Sequence, residues 1–275
     1  MTSTRRTRRW LGGAWQVTAA PLVLLIALPL LAVFLRLSPS DLWESLKSPQ
    51  VWQAIRLSWT TSLATVAVTL IAGTPVAWLV YRRRSLLQRV VDALIELPMV
   101  LPPAVAGVAL LMAFGRQGLL GAGLHTLGIQ IPFTTAAVVI AQTFVAAPLY
   151  IRSAAVGFAG VDAELHEAAA LDGASRWQAF SQVVVPMSWM AIVSGSVLTW
   201  ARALGEFGAT MIFAGNLSGR TQTMPLAIYM GFEINLSVAL TLSAIMILFS
   251  MIVVALFKGA LRNRLEAGAE RALER

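Results

Sequence analysis

Six apolar runs, each close to twenty residues long, dominate this chain, at about 17–36, 56–80, 91–114, 134–157, 188–213 and 237–258. A stretch of that length can satisfy its backbone internally as a helix and matches the hydrocarbon thickness of a bilayer. The pattern predicts an all-α membrane protein with six transmembrane helices. Only 12% of the residues are charged and 57% are hydrophobic. Soluble domains run at about a quarter charged, so lipid is the solvent these runs fit. The formal net charge is +8, but the basic residues gather at the ends of the runs instead of covering one face. That placement argues for membrane topology and against a nucleic-acid partner.

Arginine and lysine divide unequally between the two sides. Arg5, Arg6, Arg8, Arg9, Arg82, Arg83, Arg84, Arg89, Arg152, Arg176, Lys258, Arg262, Arg264, Arg271 and Arg275 flank one side. The other holds Arg36, Lys47, Arg116, Arg220 and, at the start of a span, Arg56. The richer side is expected to be cytoplasmic, with both termini and the loop 158–187 on it. The expected organisation is a cytoplasmic segment 1–16, one membrane domain 17–258 and a cytoplasmic tail 259–275. The first run is too long for a signal peptide, and Arg36-Leu37-Ser38-Pro39 offers no small-x-small cleavage site, so a retained helix is expected. A twin-arginine export signal is the alternative.

Two regions interrupt the simple pattern. Pro98, Pro102 and Pro103 remove backbone donors within the third run, so it is either kinked at depth or begins near Pro102. The loop 214–236 is too apolar in its second half to be a free loop, and a short re-entrant or surface helix is expected there.

Between the fourth and fifth runs lies a polar but foldable segment, Glu167–Pro186, EAAALDGASRWQAFSQVVVP. Asp162 fits an N-cap, and Glu164 and Glu167 suit the positive end of the helix that follows. Ala168, Ala169 and Ala170 keep that helix thin, Leu165 and Leu171 can anchor it, and Gly173 suits its end. A second helix from Ser175 carries Trp177, Phe180 and Val184 on one apolar face, and Pro186 closes it. Two readings stand: a docking element for another protein, or an amphipathic connector.

The fifth run places Arg202 and Glu206 four residues apart, close enough on one helix face to pair, with Thr210 continuing that face. Ala201, Gly205 and Ala209 form a small-residue ridge beside it. Ionisable groups at membrane depth face protein or water. Either they line or gate a transport path, or they form a structural ion pair.

Several chemistries are absent. No G-x-x-x-x-G-K-[ST] phosphate loop occurs, and the lysines, at 47 and 258, allow none, so the chain is not expected to hydrolyse ATP. There is no cysteine, and His125 and His166 stand apart from any ligand spacing, so no metal site and no cofactor are expected. The in-span carboxylates Asp92, Glu96 and Glu206 do not make an acid/base set, and no enzyme activity is expected.

Glu167, Ala168, Ala169, Gly173 and Pro186 match at every spacing the EAA loop of permease subunits in ABC importers, with Val183 and Val185 in place of the usual Ile and Leu. ARALGEFGATMIFAGNLSGRTQTMPLAIY resembles the fifth span and external loop of molybdate/tungstate permeases, with sulfate permeases as close relatives. The similarity extends over about 50–258, through LPMVLPPAVAGVALLMAFGRQGLLG and TAAVVIAQTFVAAPLYIRS. The resemblance implies a type I ABC importer permease fold with a cytoplasmic EAA coupling helix, in the cytoplasmic membrane of a prokaryote. It also implies a homodimer, a separate ABC ATPase dimer and an extracytoplasmic binding protein. Glu164, Glu167, Ala168, Ala169, Gly173 and Pro186 would then couple to the ATPase. Arg202, Gly205, Glu206 and Thr210 would belong to the translocation core or gate, and Arg220, Thr221 and Thr223 would face the binding protein. The expected function is import of an oxyanion, molybdate or tungstate, by alternating access, with sulfate or thiosulfate as the alternative cargo. Two readings of another class are a membrane scaffold that recruits a cytosolic partner, and a stand-alone secondary transporter.

Overall fold

Helices follow the apolar runs and in places overrun them. The computed structural model describes residues 3–81 and 86–273; Arg82, Arg83, Arg84 and Arg275, counted above on the basic side, lie outside the described residues. The first helices are α1 (Ser3–Arg36), α2 (Pro39–Lys47) and α3 (Pro49–Tyr81). The third run divides into α4 (Leu86–Val100) and α5 (Pro103–Phe114), followed by α6 (Gly121–Thr126) and α7 (Thr135–Ala159). The loop 158–187 folds as α8 (Ala163–Leu171), α9 (Arg176–Ala179), a π-helical turn at Phe180–Val184 and α10 (Val185–Met187). Then come α11 (Trp189–Leu204), α12 (Gly208–Phe213), α13 (Met224–Ile234) and α14 (Leu236–Leu273). Among the described residues there is no strand.

Among the described residues, four stretches are by themselves long and apolar enough to cross a membrane: Thr18–Arg36, Pro49–Tyr81, Thr135–Ala159 and Leu236–Ala255. The third and fifth runs are not single helices. Leu101 still donates to Leu97, but Pro102 and Pro103 have no amide, and the next bond of this register is Ala106 to Pro102. The helix therefore stops and restarts. The fifth run breaks at Gly205–Phe207, and its first helix meets the segment Arg176–Met187 at 71°. The apolar second half of the loop 214–236 is helical, as α13.

The chain divides into two compact units. In the unit Trp52–Ala227, α7 is the central helix and α11 its most extensive neighbour. Ala106, Leu110, Ala137, Val138, Ala141, Val145, Ala209 and Phe213 form one core cluster from α5, α7 and α12. Ala77, Tyr150, Ile151, Ala154, Phe158 and Val184 form another from α3, α7 and the π turn. Small residues permit the close approach that helices need where lipid supplies no hydrophobic drive. A Cβ at Gly107 would lie 2.8 Å from that of Ile212, and one at Gly208 would lie 2.6 Å from that of Pro103.

The same unit buries a hydroxyl stripe on α3, formed by Ser58, Thr61, Ser62, Thr65 and Thr69. Thr65 donates to Gln142 at 3.0 Å, Trp200 donates to Ser62 at 3.0 Å, and the Met224 amide donates to Ser58 at 2.7 Å. These bonds tie α3 to α7, α11 and the start of α13.

The other unit comprises the segments before Trp52 and after Ala227. In it α1 and α2 both pack against α14. Ser38 caps α2 by accepting the Asp41 amide, and Asn235 caps α14 by accepting the Ser237 amide. Leu22, Leu25, Leu28 and Leu31 of α1 are all exposed, the surface expected of a helix that meets lipid.

Candidate functional site

The loop 158–187 is built as two capped helices joined by one glycine. Asp162 occupies the N-cap of α8, although its side chain makes no capping bond to the helix. At the other end Gly173 takes φ +80, the Ala174 amide donates to Ala169 at 2.9 Å, and the Gly173 amide donates to Ala170 at 3.1 Å. This is a complete Schellman closure, and it requires the left-handed conformation that glycine adopts without strain. Ser175 then starts α9 with a capping box: its hydroxyl accepts the Gln178 amide, and the Gln178 side chain accepts the Ser175 amide.

The two halves of this loop present different surfaces. Phe180 meets Trp78 and Phe158 edge-on at ring distances of 4.6 and 5.6 Å, and Val184 is fully buried. That half is anchored to the bundle, and the π turn between Phe180 and Val184 lets the chain enter it. Trp177, expected on the same apolar face, does lie against Phe180 with ring centroids 5.8 Å apart, but it is 73% exposed and forms the outer edge of that cluster. Glu164, Glu167, Ala168 and Gly173 are exposed and Ala169 is half-buried. Leu171 is 89% exposed. A capped helix that leaves its leucine and a nearby tryptophan open has a face suited to a partner. Pro186 lies exposed in α10, just before the 71° bend into α11.

Arg202 and Glu206 do pair, with Arg202 Nη1 2.8 Å from Glu206 Oε2. The single helix expected beneath them is not there. α11 ends at Leu204, Gly205 caps it, and the chain restarts as α12 at Gly208. Glu206 is 1% exposed, and its second oxygen accepts the Ala209 amide at 2.8 Å. The cation thus sits at the negative end of α11 and the carboxylate at the positive end of α12, so the pair answers both helix dipoles. Thr210 is fully buried but belongs to α12, so it does not continue the face of α11. The small-residue ridge is divided in the same way. Ala201 and Gly205 are exposed, while Ala209 is buried against Gly107.

The segment 214–223 is a tight turn rather than an open loop. Thr221 accepts the Leu217 amide at 2.9 Å, and the amides of Arg220, Thr221 and Gln222 all donate to the Leu217 carbonyl. Thr221 and Thr223 are fully buried; Arg220 is exposed, and its carbonyl accepts from Thr135 at 2.9 Å. Of the three, only Arg220 presents its side chain outward. Among the described residues no three His, Asp or Glu side chains converge as a metal site would need.

A family profile described as "Binding-protein-dependent transport system inner membrane component" matches residues 70–267, which include the loop 158–187 and the helix break at Gly205–Phe207. The chain belongs to this family. It is 38% identical over 90% of its length to a probable transport system permease protein, NifC, of Clostridium pasteurianum, covering 86% of that protein. It is 42% identical over 84% of its length to the molybdenum transport system permease protein ModB of Mycobacterium bovis, covering 88% of that protein. The fold matches a subunit in the crystal structure of a bacterial ABC transporter that imports the acidic polysaccharide alginate. There the TM-score is 0.69 at 16% identity, with 95% of this chain and 98% of that one covered.

Two polar features of this permease were not assembled from the sequence. Arg152 of α7 reaches across to α4, with Nη1 3.2 Å from Asp92 Oδ1 and Nη2 in contact with the Glu96 carboxylate. Asp92 and Glu96 stand four apart, which places both on one helix face, but their cation lies about sixty residues away in the chain. The hydroxyl stripe of α3 did carry a signal: positions 58, 61, 62, 65 and 69 follow helical spacing.

Proposed function

We propose that this chain is the membrane-spanning subunit of an ATP-driven importer for molybdate or tungstate. Two copies would enclose the path, and the cargo would arrive from a binding protein outside the cell. The observation that carries this reading is the capped helix α8. It is closed by Gly173 and leaves Glu167, Leu171 and the neighbouring Trp177 open to a partner. ATP binding and hydrolysis belong to a separate subunit whose groove takes this helix. The arginine distribution supports cytoplasmic termini and a cytoplasmic α8. With the broken third and fifth runs each counted as one crossing, the chain crosses the membrane six times.

Force applied at α8 has a direct route into the bundle. Phe180 and Val184 join the end of this loop to α3 and α7, so movement of α8 reaches both. Rocking of α11 against α7 then opens the path alternately to either side. The Arg202–Glu206 pair keeps the broken fifth run rigid through that movement. Arg220 lies on the side that receives the binding protein.

The test is uptake by proteoliposomes that hold the permease, its ATPase and its binding protein. ATP-dependent uptake of radiolabelled molybdate is expected, competed by tungstate and far less by sulfate. Glu167→Arg should abolish both ATPase association and uptake. If Glu167→Arg leaves both unchanged, α8 is not the coupling element. Sulfate competing as well as tungstate would reassign the cargo.

A further inference from the structure

The connection between α5 and α7 builds a cavity of about 230 Å³ that transport leaves without a role. Leu111 and Phe114 from the last turn of α5, with Ile131 and Phe133 from the connection, form its apolar walls. Arg116 and His125 line it as well, and both are exposed. No carboxylate lines the cavity, and Arg116 has no ion-pair partner among the described residues. A cation left uncompensated beside apolar walls is the complement of an anion that carries an apolar body.

The cavity is held in shape by its backbone. The amides of Leu119 and Leu120 donate to the Met112 and Ala113 carbonyls at 2.9 Å each, satisfying acceptors left open at the end of α5. Gly128, at φ +71, closes α6 while the Ile129 amide donates to Leu124 at 2.9 Å. Gly121 runs so close to the preceding chain that a Cβ would lie 2.7 Å from the Arg116 carbonyl oxygen. Phe133 has φ +60, the one non-glycine positive φ among the described residues, and its amide donates to Phe213 at 3.4 Å. Strain of this kind is retained where the surroundings over-determine a conformation, and here it sets a wall of the cavity.

The surroundings point to lipid. Leu119 is 92% exposed and Leu127 73%, on a connection that follows directly from an apolar helix. On that helix Val108 and Met112 are also exposed, so open apolar surface continues from the cavity along α5. We propose that this cavity holds the anionic headgroup of a membrane phospholipid. Arg116 pairs with the phosphodiester, His125 adds a hydrogen bond, and the acyl chains run down the open face of α5. Arg116 stands on the side opposite the arginine-rich one, so the headgroup belongs to the outer leaflet, and its pairing is the charge-assisted hydrogen bond of a guanidinium with a phosphate oxygen. At about 230 Å³ the cavity is smaller than the roughly 300–1,000 Å³ of whole-ligand pockets, which suits a head with its chains outside. Arg116, His125 and Gln130 are the polar side chains of the lining, and the apolar walls around them would leave a free dianion's remaining oxygens without donors.

Native mass spectrometry of the full chain in neutral detergent tests this, with dioctanoyl phosphatidylglycerol, dioctanoyl phosphatidylcholine and inorganic phosphate as probes. Both lipids offer Arg116 a phosphodiester, but the choline of phosphatidylcholine sets a second positive charge beside the arginine, so phosphatidylglycerol is expected to bind about ten-fold more tightly. Arg116→Ala should remove that preference and His125→Ala should weaken it by about two- to three-fold, both with an unchanged unfolding midpoint. Equal binding of the two lipids, or an unchanged preference in Arg116→Ala, would overturn the proposal. Displacement of phosphatidylglycerol by an equal concentration of phosphate would make this a free-anion site instead. If the binding protein, and not lipid, shields Arg116 from an arginine-modifying reagent, the cavity is a protein-docking site and the lipid assignment fails.

Discussion

Arg202 and Glu206 face each other at 2.8 Å across a break in the fifth apolar run, where one helix ends and another begins. The carboxylate is 1% exposed and also holds the first turn of α12 through the Ala209 amide at 2.8 Å. Glu206→Ala therefore loses two bonds and leaves a buried amide without its acceptor, a loss of roughly 2–4 kcal/mol. Glu206→Gln keeps an acceptor for Ala209 and should cost less. Arg202→Ala leaves a buried carboxylate without its cation and should cost about as much as Glu206→Ala. Unfolding of the purified permease checks the order, and the Arg202→Ala/Glu206→Ala double variant should show a coupling above about 1 kcal/mol. Additive single effects would mean that the pair does not act as a unit.

Gly107 and Gly208 set the distance between α5 and α12. A methyl at Gly107 would lie 2.8 Å from Ile212 Cβ and 3.0 Å from the Ala209 carbonyl oxygen, so one helix has to move. Gly107→Ala and Gly208→Ala are each expected to lower stability by about 1–3 kcal/mol. Gly205→Ala is the control. Its Cβ would meet nothing nearer than the Ala201 carbonyl at 3.7 Å, and its φ of −88 suits any residue. Its unfolding midpoint should stay at the wild-type value.

These sites also show where sequence reasoning works and where it stops. Local signals carried through. Gly173 ends α8 at positive φ, the prolines divide the third run, and the 202–206 spacing does bring the two side chains together. Periodicity failed where a helix ended inside an apolar run, since hydropathy does not register the break at Gly205–Phe207. It placed Thr210 on a face that does not exist. It also put Trp177 with the bundle, where the ring reaches Phe180 at 5.8 Å but stays 73% exposed, since spacing along a helix does not register how deeply a side chain is covered. Long-range partners were out of reach. Arg152 was read as a topology marker, and nothing nearby in the chain pointed to Asp92 and Glu96.

That Arg152 cluster joins α4 to α7 at partly exposed positions, with side-chain exposures of 35% for Arg152, 14% for Asp92 and 42% for Glu96. Water screens such a pair, so Arg152→Ala should cost only about 1–2 kcal/mol. Asp92→Asn should cost more than Glu96→Gln, because Asp92 is the more buried partner. Arg152→Lys should recover part of the loss, since an ammonium reaches one carboxylate but cannot fork between two. Unfolding midpoints of the four variants test this ranking, and equal values for Asp92→Asn and Glu96→Gln would contradict it.

Gly173 separates the shape of the loop 158–187 from its chemistry. Nothing lies within 4 Å of a Cβ built there, so a substituted side chain meets no steric obstacle; φ +80 is the only barrier. Left-handed backbone costs an ordinary residue roughly 1–2 kcal/mol, less for Asn and more for a β-branched residue. Gly173→Val should therefore open the closure in which Ala174 bonds Ala169 and Gly173 bonds Ala170, fraying the end of α8. Membrane insertion and the unfolding midpoint should hold, because this exposed loop end contributes little to the core. ATP-driven uptake should fall several-fold in Gly173→Val and remain near wild type in Gly173→Asn, at equal amounts of permease in proteoliposomes. Equal uptake by the two variants would mean that the left-handed closure is not what transmits force from the ATPase.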